Sequence, residues 1–344
     1  MASYKLHQRQ ILCYNAYYSK FIKGKLAKRI RIRMGKILLF YKYIDIAEPT
    51  KTVKWFRDLC SSLSLTGRII IATEGINGTV GGSDASCQTF IETLNAHTLF
   101  GDIDFKDAPG DERYFPRMRI VIKNEIVHLG INPNELKASD GGKHLTPQEA
   151  HTLLSSEPQD LVVIDTRNDY EARIGTIPGA IIPDKKYFRE FPEYVDEHLD
   201  ELKNKQILMF CSGGVRCERA SALIKQKGIA KEVYQIKGGI HRYIEQFPQG
   251  HFKGSYYVFD GRVSVKVSDD ILSNCDLCSV PCDYYVNCMN ATCNKQFIAC
   301  PPCKTLYQDC CSSHCHDLVT NKKVPLRTKG IRVELNDSTP GNDE

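Results

Sequence analysis

The sequence lacks several features, and each absence excludes a class of protein. No apolar run approaches the roughly 18 consecutive residues that a membrane-spanning helix needs. The amino terminus has no apolar core after its charged residues, which excludes a typical secretory signal. Acidic residues are absent before Asp45, whereas residues 1–36 hold ten Lys and Arg. The rest of the chain therefore has 36 basic and 41 acidic residues, a formal net charge of −5 (36 − 41). Nucleic acid must therefore be held by local patches, in a protein that we expect in the cytoplasm with no membrane partner.

Both ends of the chain are predicted to lie outside its domains. Residues 1–35 form a basic extension that we expect to be disordered, and three interpretations stay open for it: an arm that touches RNA, an organelle-targeting segment, or a stretch upstream of a natural start at Met34. The polar residues 328–344 are expected to be a disordered tail. The chain has 344 residues, of which 42% are hydrophobic and 25% charged, values typical of a globular protein with two or three domains.

The residues from 36 to 130 predict a small α/β domain. Asn77-Gly78 is a strong tight-turn signal, so we place a hairpin turn there with a strand on either side. The order β-α-β-β-α-β then indicates a ferredoxin-like (acylphosphatase-like) sandwich. Its predicted strands and helices are strands at 36–44, 68–72 and 118–122 and helices at 49–63 and 85–94.

A change of pattern marks a second domain. Residues 131–143 are polar and rich in glycine, and we interpret them as a linker. Residues 144–250 alternate between helices and apolar strands, and Thr146 and Glu149 have the spacing of a capping box at the start of a helix. The runs at 161–165 and 206–211 are apolar on both faces, as parallel strands are. We predict a doubly wound parallel sheet here, so the fold class is α/β and α+β multidomain.

A cysteine at the end of a strand is the candidate reactive group. The segment Cys211-Ser212-Gly213-Gly214-Val215-Arg216 lies between a buried strand and a helix. Loop N–H groups and the positive end of the helix lower the pKa of a thiol placed there. The two glycines let the loop curl into an anion cradle, which the arginine completes with a fixed positive charge.

The size of this loop indicates what it binds. A tyrosine phosphatase loop has five residues between its cysteine and arginine, whereas here there are four, Ser212 to Val215. The smaller loop suits a persulfide sulfur better than a phosphoryl group. Cys217 has two open interpretations: a thiol that resolves an oxidised Cys211, or a residue that packs under the first helical turn.

Ten of the fifteen cysteines lie between Cys275 and Cys315, which indicates metal binding in a region spanning 251–327. A disulfide scaffold would instead have cysteines throughout a short secreted chain. Two Cys-x2-Cys pairs can supply four thiolates to a structural Zn²⁺, and a second, interleaved site is possible, so we expect one or two zinc ions. The first site is Cys275, Cys278, Cys300 and Cys303; the possible second site is Cys288, Cys293, Cys310 and Cys315.

The sequence resembles known families at these motifs. The span 144–248 looks like a rhodanese domain, on Asp165-Thr166-Arg167, Ile177-Pro178-Gly179-Ala180 and the Cys211–Arg216 loop. A threonine, Thr176, stands where rhodanese usually has a histidine, which leaves no role for a histidine there. More closely, residues 35–327 resemble the rhodanese-containing tRNA uridine hydroxylases (the TrhO family). The motifs are LLFYKY (38–43), ATEGINGTVGG (72–82), IDTRNDYE (164–171), REFPEYV (189–195), CSGGVRCERAS (211–221) and the cysteine-rich tail.

The resemblance implies an enzyme: oxygen-dependent hydroxylation of the wobble uridine of tRNA to 5-hydroxyuridine, with Cys211 as the essential thiolate or persulfide. It implies O2 as co-substrate, the tRNA anticodon loop as partner, and a sulfur or electron donor as a possible further partner. Asp165, Arg167 and Glu171 are expected to support the site structurally. The sequence has no flavin, haem or nicotinamide motif. Aromatic residues available to stack on a base are Tyr43, Tyr187, Phe188 and Tyr243.

Two alternatives use the same residues differently. A rhodanese-type sulfurtransferase would move sulfane sulfur from Cys211 to a small molecule, a protein or tRNA. A zinc-stabilised RNA-binding scaffold would have an idle rhodanese domain, which the intact Cys211 and Arg216 argue against.

Overall fold

The structure, a computed structural model, describes residues 34–111, 115–259 and 262–327. The described residues from Gly35 onward belong to one compact unit. The predictions for residues 1–33 and 328–344 lie outside the described residues. Within the described ranges, no helix combines the length and the apolar character needed to cross a bilayer.

The amino-terminal domain is a sheet in the order β4-β1-β3-β2-β5, with two helices packed on it. This arrangement confirms the acylphosphatase-like fold. Strand β1 pairs antiparallel with β3, and β3 with β2, whereas β5 runs parallel to β2. The elements are β1 (Met34–Tyr43), α1 (Pro49–Ser62), β2 (Thr66–Ala72), β3 (Gly75–Ser83), α2 (Asp84–Asn95), β4 (Lys106–Asp111) and β5 (Met118–Ile122).

The fourth strand of the sandwich is β4 rather than the predicted run at 118–122. That run is a strand, but it joins the opposite edge of the sheet, beside β2. The pattern of β4, KDAPGD, contains Pro109 and Gly110, which are typical of turns. An edge position beside β1 tolerates such residues, because only one side of the strand must pair.

The predicted turn at Asn77-Gly78 is also wrong. Strand β3 runs through both residues, and the chain reverses before it, where Ala72 pairs with Gly75. Gly78 lies directly opposite Phe40 on β1, and a Cβ there would be 2.5 Å from the Phe40 ring. The glycine is therefore needed for close packing of an aromatic side chain and not for a turn.

The second domain contains the predicted parallel sheet, in the order β6-β10-β9-β7. The capping box is confirmed: the Thr146 hydroxyl accepts a hydrogen bond from the Glu149 N–H, and the Glu149 carboxylate accepts one from the Thr146 N–H. The elements are β6 (Lys143–Leu145), α3 (Pro147–Ser156), β7 (Leu161–Asp165), α4 (Asp169–Ala172), β8 (Gly175–Thr176), α5 (Phe191–Glu197), α6 (Leu199–Leu202), β9 (Gln206–Phe210), α7 (Val215–Lys227), β10 (Glu232–Ile236) and α8 (Gly239–Gln246).

The cysteine-rich region is built from short elements. Strand β11 pairs with β8 of the second domain and with β12, and β13 pairs with β14. The Tyr285 hydroxyl donates to the Tyr170 carbonyl oxygen at 2.7 Å, which joins the region to the second domain. The elements are β11 (Lys253–Tyr257), β12 (Ser264–Lys266), β13 (Tyr285–Asn287), β14 (Gln296–Ile298), α9 (Pro301–Leu306) and α10 (Ser313–Thr320).

Candidate active site

Cys211 lies at the carboxyl end of the central strand β9, where parallel sheets commonly hold ligands. Its sulfur accepts a hydrogen bond from the N–H of Gly214 at 3.1 Å. Gly214 has φ +104°, a conformation that strongly favours glycine, and it turns the loop into helix α7. The thiol is fully buried.

The surroundings of Cys211 stabilise its thiolate. Burial opposes ionisation, but three effects outweigh it: a hydrogen bond from the Cys217 thiol, the charge of Arg216, and the N–H groups of Arg216 and Cys217. Together they lower the pKa of Cys211 from 9.0 to about 5. The sulfur is thus held as an anion at neutral pH, as the sequence predicts for a thiol at the start of a helix.

Glu171 fixes the position of Arg216. The guanidinium donates to both carboxylate oxygens, at 2.5 and 2.7 Å, and also to the Ser212 hydroxyl at 3.2 Å. The Ser212 hydroxyl in turn donates to Glu171 at 3.0 Å. Burial disfavours the Glu171 carboxylate, but Arg216 overcomes this effect and keeps the pKa of Glu171 below its usual value. The cation is therefore held in one place beside the cysteine loop.

Asp165 and Arg167 form a separate buried ion pair, with 2.6 Å between Nη2 and Oδ2. The same guanidinium nitrogen donates to the Gly175 carbonyl oxygen at 2.5 Å, and the Thr176 hydroxyl donates to Asp165 at 2.9 Å. Thr176, the residue that departs from the rhodanese pattern, therefore completes this network. The pair joins β7 to β8 rather than contacting the sulfur of Cys211.

Cys217 lies in the first turn of α7, close to Cys211. Burial and the neighbouring thiolate both raise the pKa of Cys217 well above 9.0, so this thiol keeps its proton. Its sulfur is 3.4 Å from the Thr166 hydroxyl oxygen. The structure thus brings the two cysteines together as a thiol that donates to a thiolate.

Residues of the amino-terminal domain cover the cysteine loop, which the sequence analysis did not predict. The Tyr43 hydroxyl donates to the Val215 carbonyl oxygen at 3.1 Å, and the Tyr41 hydroxyl donates to Glu218 at 3.0 Å. A Cβ on Gly214 would be 2.8 Å from the Tyr41 hydroxyl, and one on Gly213 would be 3.2 Å from Leu39. The available signal was the motif at 38–43, whose alternating residues point to opposite faces of one strand.

The first predicted cysteine set converges. The sulfurs of Cys275, Cys278, Cys300 and Cys303 all lie within 4.8 Å of one another. Cys278 and Cys300 are separated by 3.5 Å between sulfurs. Tetrahedral Zn²⁺ with Zn–S bonds of about 2.3 Å requires S···S distances of about 3.8 Å, so this group could hold a metal ion.

The second set converges with one correction: the structure places Cys311, rather than Cys310, with Cys288, Cys293 and Cys315. The Cys311 sulfur is 3.7 Å from that of Cys293 and 3.8 Å from that of Cys315. The adjacent Cys310 is fully buried, and its thiol donates to the Gln308 carbonyl oxygen instead. This second group has sulfur spacings that suit a tetrahedral metal ion as well.

Only one of the four candidate stacking aromatics is exposed. Tyr43 is engaged by Val215, while Phe188 and Tyr243 belong to the hydrophobic core. Tyr187 is 37% exposed, and two cations flank its ring: Lys186 with Nζ 5.2 Å from the centroid and Arg189 with Cζ 4.8 Å from it. Of the four candidates, Tyr187 is therefore the one whose ring faces solvent.

Comparison with known protein families divides the chain as the structure does. Residues 35–126 match the UPF0176 acylphosphatase like domain. Residues 146–246 match the rhodanese-like domain, and residues 253–316 match the family described as rhodanase C-terminal.

Relatives similar over most of the chain carry one name, tRNA uridine(34) hydroxylase. The protein of that name from Corynebacterium jeikeium is 40% identical over 277 residues, which cover 78% of this chain and 89% of the relative. The one from Corynebacterium efficiens is 37% identical, covering 86% and 99%. The one from Cytophaga hutchinsonii is 39% identical, covering 81% and 89%. The chain belongs to the tRNA uridine(34) hydroxylase family.

Proposed function

We propose that this chain hydroxylates uridine 34 of tRNA at C5, with Cys211 as the catalytic residue and O2 as the source of oxygen. The observation that carries the proposal is a single thiolate with a pKa of about 5, held between a loop N–H and a fixed arginine. Family membership over most of the chain supports the substrate. In this proposal, the hydroxylation of uridine 34 depends on the sulfur of Cys211.

The chemistry follows from the reactivity of pyrimidines toward thiolates. The Cys211 sulfur adds to C6, and the electron pair of the C5–C6 double bond moves toward C5 and O4. C5 then takes one oxygen from a peroxide-level donor, which O2 forms with two electrons and two protons from a thiol reductant, and the second oxygen leaves as water. Loss of the C5 proton expels the Cys211 thiolate and restores the double bond.

The surrounding residues have supporting roles in this proposal. Arg216 and the loop N–H groups stabilise the thiolate before addition and after its release. Glu171 holds Arg216, and Asp165 with Arg167 supports the adjacent strands. Cys217 donates a hydrogen bond to the thiolate and can form a disulfide with Cys211 if that sulfur is oxidised. Because Cys211 is fully buried, the base reaches it only after residues that cover the thiol move.

The direct test uses purified protein, an unmodified tRNA with U34, a thiol reductant and 18O2. Nucleoside mass spectrometry should detect 5-hydroxyuridine that carries one 18O. The variant Cys211→Ala and the same tRNA with C34 are matched controls, and both should give none. Thiolated uridine without 5-hydroxyuridine would instead indicate sulfur transfer, and unchanged nucleosides with retained tRNA binding would indicate a scaffold.

A second experiment examines the covalent step. In tRNA with 5-fluorouridine at position 34, the hydroxylated addition product has no C5 proton to lose, so it cannot restore the double bond by that step and expel the Cys211 thiolate. We expect an RNA adduct on the peptide that contains Cys211, and no adduct with Cys211→Ala. Repeated failure to trap the adduct while the enzyme turns over normal tRNA would contradict addition at C6.

The proposal assigns structural Zn²⁺ to both cysteine groups. Four thiolates with no open position are typical of structural rather than catalytic zinc, and the short elements of this region have little apolar core without metal. The same proposal places the anticodon loop near the exposed Tyr187, and the reaction in the cytoplasm.

A further inference from the structure

Lys106 is a buried cation close to the cysteine loop that the sequence analysis did not single out. It opens strand β4 of the amino-terminal domain, and its side chain is 1% exposed. Its ammonium lies 5.4 Å from the centre of the Tyr41 ring, and Tyr41 itself covers Gly214. A Cβ on Gly213 would be 3.9 Å from Lys106 Cδ. The lysine side chain therefore runs along the loop that carries Cys211.

This buried lysine is paired with a carboxylate. Its ammonium is 3.0 Å from Asp104 Oδ2. Burial disfavours the Asp104 carboxylate, but Arg242 and Lys106 overcome this effect and lower the pKa of Asp104 to about 2. Burial and the charge of Arg242 lower the pKa of Lys106; Asp104 and the Cys211 thiolate act in the opposite direction, but the pKa stays below its usual value.

The carboxylates that pair with Lys106 and Arg242 lie on the solvent side. Asp104 is 48% exposed and also binds Arg242, which in turn binds the 43% exposed Glu245. These carboxylates face water, which screens their charge, whereas the ammonium is enclosed beside the loop, where the dielectric is lower. The enclosed ammonium is therefore screened less than the carboxylates that pair with it and with Arg242.

We propose that Lys106 is a positioning residue: it supplies, from the amino-terminal domain, a second cation that stabilises the Cys211 thiolate together with Arg216. The active site is then shared between two domains. This inference deepens the proposed role of Cys211 and rests on it.

Other ionisable groups face the same site and must be considered in a titration. Tyr41 and Tyr43 come from β1, and Glu218 from α7; all lie close enough to interact with the loop. His241 on α8 contacts Glu245. Among the described residues, the ionisable groups near Cys211 and Lys106 include Tyr41, Tyr43, Asp104, Glu171, Arg216, Cys217, Glu218, His241, Arg242, Glu245 and Tyr256.

The test measures the titration of the Cys211 thiol itself in the full chain. A pulse of iodoacetamide at each pH is followed by denaturation, heavy iodoacetamide and digestion. Trypsin cleaves after Lys205, Arg216 and Arg219. Cys211 is therefore the one cysteine of the peptide 206–216, and Cys217 lies on the separate peptide 217–219. The pH at which the alkylation rate is half of its maximum reports the pKa of Cys211, even if burial slows the reaction at every pH.

Lys106→Met should raise the pKa of Cys211 by about one unit, because one nearby charge has been removed. Lys106→Arg should keep the midpoint of the original chain. Lys36→Met is the matched control: Lys36 is a half-exposed lysine paired with Asp107 in the same domain, and it should have no effect. In Lys106→Met, Asp104 still accepts a hydrogen bond from Arg242, so its carboxylate keeps a charged partner.

A reciprocal measurement keeps the inference testable if Lys106 variants do not fold. Charge coupling acts equally in both directions, so Cys211→Ser should lower the pKa of Lys106 by a similar amount, measured by peptide-resolved acylation of its amine. A folded Lys106→Met with an unchanged Cys211 midpoint would overturn the proposal, as would an unchanged Lys106 titration in Cys211→Ser. Neither readout uses tRNA, so failure here is distinct from failure to form 5-hydroxyuridine.

Discussion

Arg219 of helix α7 donates a hydrogen bond to Glu74, which lies between strands β2 and β3, with 2.8 Å between Nη1 and Oε2. The arginine side chain is fully buried and the glutamate side chain is 8% exposed. The same guanidinium donates to the Ile131 carbonyl oxygen at 2.6 Å, and Glu74 also accepts from the Ile126 N–H. One buried ion pair thus joins the amino-terminal domain to the helix that starts at the cysteine loop.

Removing the carboxylate of this pair should destabilise the protein. In Glu74→Ala, Arg219 stays buried with only Glu125, at 3.5 Å, as a remaining anion, so we expect a loss of about 3 kcal/mol in the free energy of unfolding. Urea unfolding followed by the fluorescence of Trp55, the single tryptophan, measures this change. Glu48→Ala, which removes an exposed pair with Lys51, is the control and should cost well under about 1 kcal/mol. Equal stabilities would show that the pair contributes nothing.

The reactivity of Cys211 should depend on pH in a way unlike that of the buried thiol of Cys60. Its folded-state pKa is lowered to about 5, so the reactive thiolate is present above that pH and is lost as the pH falls through it. Alkylation of the peptide 206–216 should therefore rise near pH 5 and then level off. Cys60 is an internal control, because burial raises its pKa to about 12 and its reaction should increase only in strong base. Coincident profiles would contradict the proposed thiolate.

Replacing Cys217 tests whether it donates to that thiolate. Cys217→Ala removes the hydrogen bond, so the Cys211 midpoint should move to higher pH by about one unit. Cys217→Ser keeps a hydroxyl donor and should shift the midpoint less. The same pulse alkylation measures both variants, and a purely packing role would leave both midpoints in place while lowering stability in Cys217→Ala.

The sequence predicts those parts of the site whose residues are close together along the chain. The Cys211–Arg216 loop and the Cys-x2-Cys pairs are set by neighbouring residues, and the structure places their side chains together. It does not predict features that depend on contacts far along the chain. Lys106 lies beside the cysteine loop only because two domains pack together, and strand β4 pairs at an edge despite its proline and glycine. Cys310 and Cys311 are adjacent in sequence, so the sequence alone does not decide which of the two thiols joins Cys288, Cys293 and Cys315.

Metal content should distinguish ligand cysteines from the others. Elemental analysis should give two Zn²⁺ per original chain and one each for Cys278→Ser and Cys293→Ser, because each change removes a ligand from one group. Cys310→Ala and Cys282→Ala are controls outside both groups and should keep two. A single zinc in the original chain, or loss of zinc from Cys310→Ala but not from a Cys311→Ser variant, would contradict the second site as the structure defines it.

Tyr187 should contribute to tRNA binding more than to the chemical step. It borders a small cavity of about 10 Å³ that also contacts Thr166, and the Thr166 hydroxyl contacts Cys217. Stacking on one base is worth ~1–3 kcal/mol, and about 1.4 kcal/mol corresponds to a factor of ten. Tyr187→Ala should thus raise KM for tRNA about tenfold with kcat little changed, and Tyr187→Phe should restore KM because the ring is kept. Phe259→Ala, another exposed aromatic, is the control. If Tyr187→Ala lowered kcat at unchanged KM, or if Tyr187→Phe failed equally, the tyrosine would act through its hydroxyl and not as a stacking platform.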